Sequence, residues 1–410
     1  MNCRHCNTEL KQVFADLTFS PISNDMLKEV NLNQKENYYP LKVYVCHNCF
    51  LVQLDEFKKF DEIFNSDYTY FSSMSKTWLK HTKDYVDMMM TRFNFDPKSL
   101  VVEIASNDGC LLRNFVNYNV PVLGVEPTAN TAREAEKSGV RTAVEFFSSN
   151  FAKKQFIEKN TLADLIIGNN VLAHVPDIND FVKGMKLALN KDGVITMEFP
   201  HLVNLVNDCQ FDTIYHEHFS YLSLIAVKSI FKKQRLEIFD VEEITTHGGS
   251  LRVFAKHIEN KTHEVSNRVK VLLDSEIKDG LQTIDYYKGF QERIHKIKYD
   301  TLSFLINEKQ KGKKIIGYGA ASKGNTLINY CGIKGSDLIK FVVDASPFKQ
   351  HKYLPGSHIP VIDEENIKKY KPDYVIILPW NLKKEVSDQL SYIRDWGGKF
   401  VIFIPEINIF

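Results

Sequence analysis

The feature that most limits the possible folds is a repeated unit in the middle of the chain: an apolar run, a turn of small residues, then a helical stretch. Leu100-Val101-Val102-Glu103-Ile104 is almost continuously apolar, the pattern of a strand covered on both faces. Ala105-Ser106-Asn107-Asp108-Gly109 supplies the turn, and Cys110 to Tyr118 has helical spacing. Further strand patterns follow at Val122 to Val125, Thr142 to Val144, Ala163 to Ile167 and Val194 to Phe199, with Ile238 to Ile244 and Ser250 to Ala255 completing a sheet. Strands alternating with helices build a parallel sheet with helices on its faces, so a central Rossmann-like α/β domain is expected. A second unit opens at Lys313-Lys314-Ile315-Ile316 and continues through Ile339 to Val343, Tyr374 to Leu378 and Lys399 to Ile404, predicting a C-terminal Rossmann-like α/β domain.

In open α/β sheets, ligands bind beyond the carboxyl ends of the strands. The central turn has one glycine, Gly109, where a dinucleotide fingerprint has three, so its backbone need not approach a pyrophosphate. Glu126, closing the second strand, stands where a nucleoside ribose is held. A nucleoside cofactor without phosphates, S-adenosylmethionine, fits this pattern. Glu103, Ala105, Asn107, Gly109 and Glu126 are its expected contacts, joined by Asn150 and Asn170 from later loops. In the C-terminal unit Ser322 takes the place of the third glycine. Exposed turn amides around Gly319, with Lys323, Asn325, Asp344 and Lys349, are expected to take a sugar-nucleotide diphosphate.

Acid/base equipment is concentrated in Tyr215-His216-Glu217-His218-Phe219-Ser220-Tyr221, soon after a strand that ends at Pro200. A histidine near its ordinary pKa takes a proton at neutral pH, a carboxylate orients it, and a phenol donates to an oxygen where charge develops. Asn170 and His174, after the Ala163 to Ile167 strand, are expected at the same sheet edge.

Cys3-x-x-Cys6 and Cys46-x-x-Cys49 have the spacing by which two thiolate pairs clamp a tetrahedral ion. With all four positions cysteine, a structural zinc is expected, and the short, polar module around it has little core of its own. The 410 residues are expected to divide into a zinc module at 1–68, an S-adenosylmethionine-binding domain with a helical linker at 69–300, and a C-terminal domain at 301–410. The linker, 258 to 306, carries an apolar stripe at Val265, Val269, Leu272 and Leu273, with its Lys and Glu residues on a solvated face. Lys+Arg 52 against Asp+Glu 51 leaves no basic footprint for nucleic acid. No apolar run has membrane-spanning length and no signal peptide is evident, so a cytoplasmic protein without membrane partners is expected.

Taken together, the cysteine pairs, Glu103 to Gly109, Gly124-Val125-Glu126-Pro127, Asn170 to Asp177, Tyr215 to His218 and Gly317 to Thr326 resemble the sugar C-methyltransferases of deoxysugar biosynthesis over essentially the whole chain. The resemblance implies a zinc-binding N-terminal domain, an S-adenosylmethionine-binding central domain, and methylation at carbon 3 of a nucleotide-linked 4-keto-6-deoxyhexose. It places the general base on His218, with Tyr215, Glu217, His174 and Tyr70 completing the catalytic neighbourhood. The chemistry agrees: carbon becomes nucleophilic once the proton beside a ketone is removed and the charge spreads onto oxygen. In this scheme Glu217 or His216 fixes the His218 tautomer, and Tyr215 or His174 donates to the enolate oxygen. The alternatives are a carbon-5 or O-methyltransferase acting on a nucleotide sugar, or a non-catalytic nucleotide-binding scaffold.

Overall fold

The computed structural model of the protein describes residues 1–57, 59 and 71–410. Its centre is a seven-stranded sheet in the order Leu236–Ile244, Ser250–His257, Leu189–Pro200, Ala163–Asn169, Val101–Ile104, Val122–Val125, Thr142–Ala143. Val101–Ile104 runs parallel to both neighbours, and all four of its residues are buried, as its continuous apolar sequence requires. Strand order reverses there: the chain builds outward to Thr142–Ala143, then returns to Ala163–Asn169 on the other side. The crevice of this switch point opens at Ala105 to Gly109. Ser250–His257 is antiparallel to both Leu189–Pro200 and Leu236–Ile244, a reversal made possible by the tight connection through Gly248 and Gly249, both at positive φ.

The C-terminal domain has its own seven-stranded sheet, with parallel strands Pro360–Ile362, Val342–Val343, Ile315–Tyr318, Tyr374–Ile377 and Lys399–Ile402 at its heart. The N-terminal module is a four-stranded sheet of Gln12–Ser20, Tyr39–Val45, Val52–Leu54 and Ser220–Tyr221. Its last strand comes from the segment that follows His218, pairing Val52 with Tyr221 and Gln53 with Ser220. The module also has a substantial core, contrary to the expectation from its polar stretches. Phe14, Leu41, Val43 and Val52 are buried in one cluster with Phe290 and Ile294 of the linker and with Leu327 and Ile328 of the C-terminal domain. The Phe14 and Phe290 rings stack at 4.4 Å. A core whose other half comes from the linker and the C-terminal domain leaves no local pattern in the module's own sequence.

The linker forms helices Asn267–Lys278 and Phe290–Gln310. Val269 is buried as expected, while Val265 is exposed. Glu276 departs from the solvated-face expectation: it is 1% exposed and accepts from the Leu224 and Ile225 amides at 2.7 and 2.8 Å, capping helix Leu224–Lys233 from another helix. The same carboxylate lies 2.7 Å from His201 Nε2, where the chain leaves strand Leu189–Pro200. No helix among the described residues is long and apolar enough to cross a membrane.

Candidate active site

The turn after Val101–Ile104 is built from three residues in the left-handed region, Ala105 (φ 57), Asn107 (φ 50) and Gly109 (φ 73). It packs so closely on the next strand that a Cβ on Gly124 would come within 2.5 Å of Ser106 Oγ, which accounts for glycine there. Glu126 accepts from the Asn107 and Thr128 amides, each at 2.9 Å. Glu103, Asp108, Glu126 and Glu198 gather at this edge, all buried. Burial first, then Asp108, Glu126 and Glu198, push the Glu103 carboxyl well above its ordinary value, and burial also raises Glu126. Glu198 is paired with Arg252 at 2.6 Å and has His81 Nε2 2.8 Å away.

A cluster of buried acids suits a cationic ligand and repels a diphosphate. S-adenosylmethionine carries a sulfonium and an ammonium group and no phosphate, and Glu103 Oε2, Asp108 Oδ1 and Asn170 Oδ1 are buried acceptors with no partner among the described residues. The residues present therefore fit that cofactor. Asn170, at φ 55, is fixed by its amide donating to His247 Nε2 at 3.0 Å. Asn150 is exposed on the short helix Ser149–Ala152, whose Ser149 is bound to Asp180 instead. The segment before helix Lys76–Phe93 closes over the turn: the Ser72 and Ser73 amides donate to Asn107 Oδ1 and Asp108 Oδ2 at 2.9 and 3.0 Å. Tyr70 lies outside the described residues.

His218, Tyr215 and His174 are brought together. The His218 ring is 4.0 Å from Tyr215 and 4.7 Å from His174, centroid to centroid. Its Nδ1 lies 2.8 Å from the carbonyl oxygen of Thr213, the last residue of the single-turn helix Phe211–Thr213. A carbonyl only accepts, so Nδ1 carries the hydrogen and Nε2 keeps the lone pair. Burial, and then His174, hold this imidazole well below its ordinary pKa, so it is neutral.

The orienting group is thus a backbone carbonyl, and neither neighbour expected in that role fills it. Glu217 turns to the N-terminal module and accepts from Asn24 Nδ2 at 2.8 and 3.0 Å. His216 Nε2 donates to the Pro40 carbonyl at 3.2 Å. Tyr215 to His218 form a turn closed by the His218 amide donating to the Tyr215 carbonyl at 2.9 Å, and it carries the 216 and 217 side chains to the N-terminal module.

Burial lowers His216 to about 4 while the residue is only 3% exposed. Below the unfolded value of about 6.5 the unfolded chain takes up a proton that the native chain refuses until about pH 4, so stability falls as pH falls through that window. Between pH 7 and pH 5 the wild type should therefore lose about 2 kcal/mol more than His216→Gln. Urea titrations of both proteins at the two pH values check this, and parallel losses would refute it.

His247 carries no motif in the sequence, yet it stands in this site at φ 56 with Trp78 5.8 Å from its ring. Burial lowers it to about 4. Asp212 and Lys323 face the same junction. Trp380 Nε1 donates to Asp212 Oδ2 at 2.8 Å, and burial pushes that acid up to about 6. Of the other C-terminal candidates, Gly319 has φ +87 and abuts Pro379, Asp344 accepts from the Ala320 amide at 2.7 Å, and Lys349 donates to the Ala320 carbonyl at 2.8 Å. Asn325 is 1% exposed, and its Nδ2 has no partner among the described residues.

The four sulfurs of Cys3, Cys6, Cys46 and Cys49 lie within 4.8 Å of one another, with Cys3–Cys49 and Cys6–Cys46 at 3.5 Å. Tetrahedral zinc–thiolate bonds of about 2.3 Å put sulfurs about 3.8 Å apart, so the set fits zinc. Gln53 Nε2 donates to Cys3 Sγ at 3.2 Å. His5 is no ligand: its ring nitrogens meet Asn179 Oδ1 at 2.9 Å and Ser229 Oγ at 3.1 Å on two helices of the central domain. The knuckle thus docks as it folds, and Arg4 adds a bond to the Pro176 carbonyl at 2.7 Å.

Three family models match in chain order: a zinc binding domain over residues 3–64, a methyltransferase domain over 79–241, and a C-methyltransferase C-terminal domain over 245–405. The C-methyltransferase NovU of Streptomyces niveus is 33% identical over 407 residues, 99% of this chain and 96% of that protein. Among solved structures, magnesium protoporphyrin IX methyltransferase from Synechocystis with bound SAM is 12% identical, covers 44% of this chain and 79% of its own, and has a TM-score of 0.34. An S-adenosylmethionine-dependent methyltransferase from Clostridium acetobutylicum is 14% identical over 44% of this chain and 92% of its own, with a TM-score of 0.36. Likenesses at those scores support no inference. The identity to a named C-methyltransferase along nearly the whole chain, together with the three domain models, carries the assignment: this chain belongs to the three-domain C-methyltransferases, enzymes dependent on S-adenosylmethionine that carry a zinc-binding N-terminal domain.

Proposed function

We propose that this enzyme methylates carbon 3 of a nucleotide-linked 4-keto-6-deoxyhexose, with His218 as the base. The observation that carries the reading is a neutral imidazole whose Nδ1 is held by a backbone carbonyl, with its basic Nε2 in a site shared with Tyr215 and His174. A base for a hydroxyl needs little else. A base for carbon needs oxyanion donors beside it, because the C–H proton is acidic only when its electron pair can move onto the ketone oxygen.

In this reading His218 Nε2 takes the C3 proton, the C–H pair becomes the C3–C4 double bond, and the carbonyl pair moves to oxygen. Tyr215 and His174 are the donors nearest the base, and Glu217, anchored on Asn24, is assigned to hold this segment against the N-terminal module. Glu103, Ala105, Asn107, Gly109, Glu126 and Asn170 would hold S-adenosylmethionine, with Asn150 at the outer rim. When bound, the cofactor supplies an electrophilic methyl group on sulfur, which carbon 3 receives as the ketone re-forms. Tyr70 is assigned to the catalytic set on the resemblance alone. The turn at Gly319, shaped by Asp344 and Lys349, and the buried amide of Asn325 are assigned to the nucleotide end.

The test is exchange in deuterated buffer, with thymidine, guanosine and cytidine diphosphate-linked 4-keto-6-deoxyhexoses as probes and S-adenosylhomocysteine in place of the methyl donor. The C3 proton signal should disappear with one of them. Methyl transfer with C3 still protonated would move the reaction to carbon 5 or to a hydroxyl.

A further inference from the structure

Lys323 is in the first turn of helix Ser322–Tyr330 of the C-terminal domain, but its ammonium group reaches out to the junction with the central domain. Its Nζ is 3.0 Å from Asn381 Oδ1, 3.4 Å from the His247 carbonyl oxygen, and 4.6 Å from the centre of the Trp380 ring. None of these partners carries a charge, and among the described residues no carboxylate forms an ion pair with it. The neighbouring acid, Asp212, gives Oδ2 to Trp380; burial raises its pKa to about 6, so near neutral pH it is still mostly ionised and supports the ammonium without a direct ion pair. Lys323 is therefore a desolvated cation in direct contact with a carbonyl, an amide oxygen and a π face; burial lowers its pKa and the Asp212 charge offsets part of that, so the ammonium gains from a further negative charge beside it.

The groups around it belong to the chemistry. His247, whose carbonyl it touches, fixes Asn170 through Nε2. Trp380 ties to Asp212, and the next residue, Thr213, supplies the carbonyl that sets the His218 tautomer. The positive charge of Lys323 bears on both His218 and His247, helping to keep each imidazole neutral. The turn at Gly319, by contrast, is occupied with Asp344 and Lys349, so the lysine does not belong to that phosphate-like cradle.

We propose that Lys323 is the cation that stabilises the enolate oxygen formed when carbon 3 loses its proton, and is not a contact to the diphosphate; the proposal rests on the function proposed above. Negative charge appears on the C4 oxygen as His218 Nε2 takes the proton, and it leaves when the electron pair returns through carbon 3 to the incoming methyl. The ammonium therefore interacts more strongly with the enolate than with the starting ketone, so its loss registers in the rate and hardly in substrate affinity.

The experiment compares wild type, Lys323→Met and Lys323→Arg for C3 proton exchange at saturating nucleotide sugar with S-adenosylhomocysteine. Calorimetric binding of the matching nucleoside diphosphate alone is measured alongside. Lys323→Met should slow exchange by roughly 10²–10³-fold, the effect of removing one preorganised oxyanion donor, while its affinity for the nucleoside diphosphate stays within about twofold. Lys323→Arg, which keeps the charge, should recover at least a tenth of the wild-type exchange rate. Exchange at the wild-type rate in Lys323→Met overturns the proposal, as does a tenfold loss of nucleoside diphosphate affinity with exchange at saturation intact. If the methionine variant does not fold, Lys323→Gln is judged by the same two criteria. Wild type failing to exchange C3 with any of the three probes removes the parent reading and this one together, whereas exchange that ignores residue 323 removes this one alone.

Discussion

Asparagine in place of His218 is expected to cut methyl transfer by roughly 10²–10⁴-fold, about 3–5 kcal/mol of barrier, while both ligands still bind. The amide of asparagine can donate to the Thr213 carbonyl as Nδ1 does, so the turn keeps its hydrogen bond and only the basic nitrogen is lost. Cofactor affinity should persist because the carboxylates assigned to it stand on Val101–Ile104 and Val122–Val125 and in their turns, in elements that do not contact the 218 side chain through any hydrogen bond described above. Single-turnover methyl transfer with calorimetry for the cofactor separates the two effects. A variant that turns over at the wild-type rate removes His218 from the mechanism. His174, ring to ring at 4.7 Å and lowered by burial to about 4, would then be the next base to test.

Much of this site is legible in the sequence because its signals are local. A continuous apolar run followed by small residues gives the strand and turn at Val101 to Gly109, and two Cys-x-x-Cys pairs give the sulfur tetrad. His218, Tyr215 and His174 are found because a strand-end position and a residue type suffice to nominate them. What sequence does not reveal are relations in which one partner has no type or no nearby pattern. The Thr213 carbonyl that orients His218 could belong to any residue, so the eye goes to the adjacent Glu217 and His216, which turn out to serve the N-terminal module. His247 is hidden in a left-handed turn before two glycines, where the only cue is a histidine in a Thr-Thr-His-Gly-Gly stretch. Glu276 reads as one more charged residue on a polar helix, because the two amides that it caps begin a helix some fifty residues earlier. The fourth strand of the zinc module is two residues long and comes from beyond residue 218, so a domain boundary drawn along the chain divides a sheet that the fold keeps whole.

Through that shared sheet the zinc site is expected to bear on catalysis. Structural zinc binding in small modules contributes about 10–16 kcal/mol, as much as or more than the whole stability of a typical domain, so a chelated module should not stay folded by its core alone. Its loss frees Cys46 next to strand Tyr39–Val45, releases Val52–Leu54 from Ser220–Tyr221, and removes Asn24 from Glu217 and the Pro40 carbonyl from His216. The segment carrying His218 then keeps its Thr213 bond but loses support on its outer side. We expect chelation, or Cys46→Ser, to reduce methyl transfer at least 10²-fold while the central domain still binds S-adenosylmethionine, because that sheet shares no strand with the module. Hydrogen exchange should speed up in 39–54 and in 215–222 together, before the strands of the central sheet respond. Zinc-free protein with wild-type turnover and unchanged protection at 215–222 would mean that the metal only seals the N-terminal knuckle. Loss of cofactor binding at the same zinc concentration would mean instead that the Arg4 and His5 contacts hold the central domain in shape.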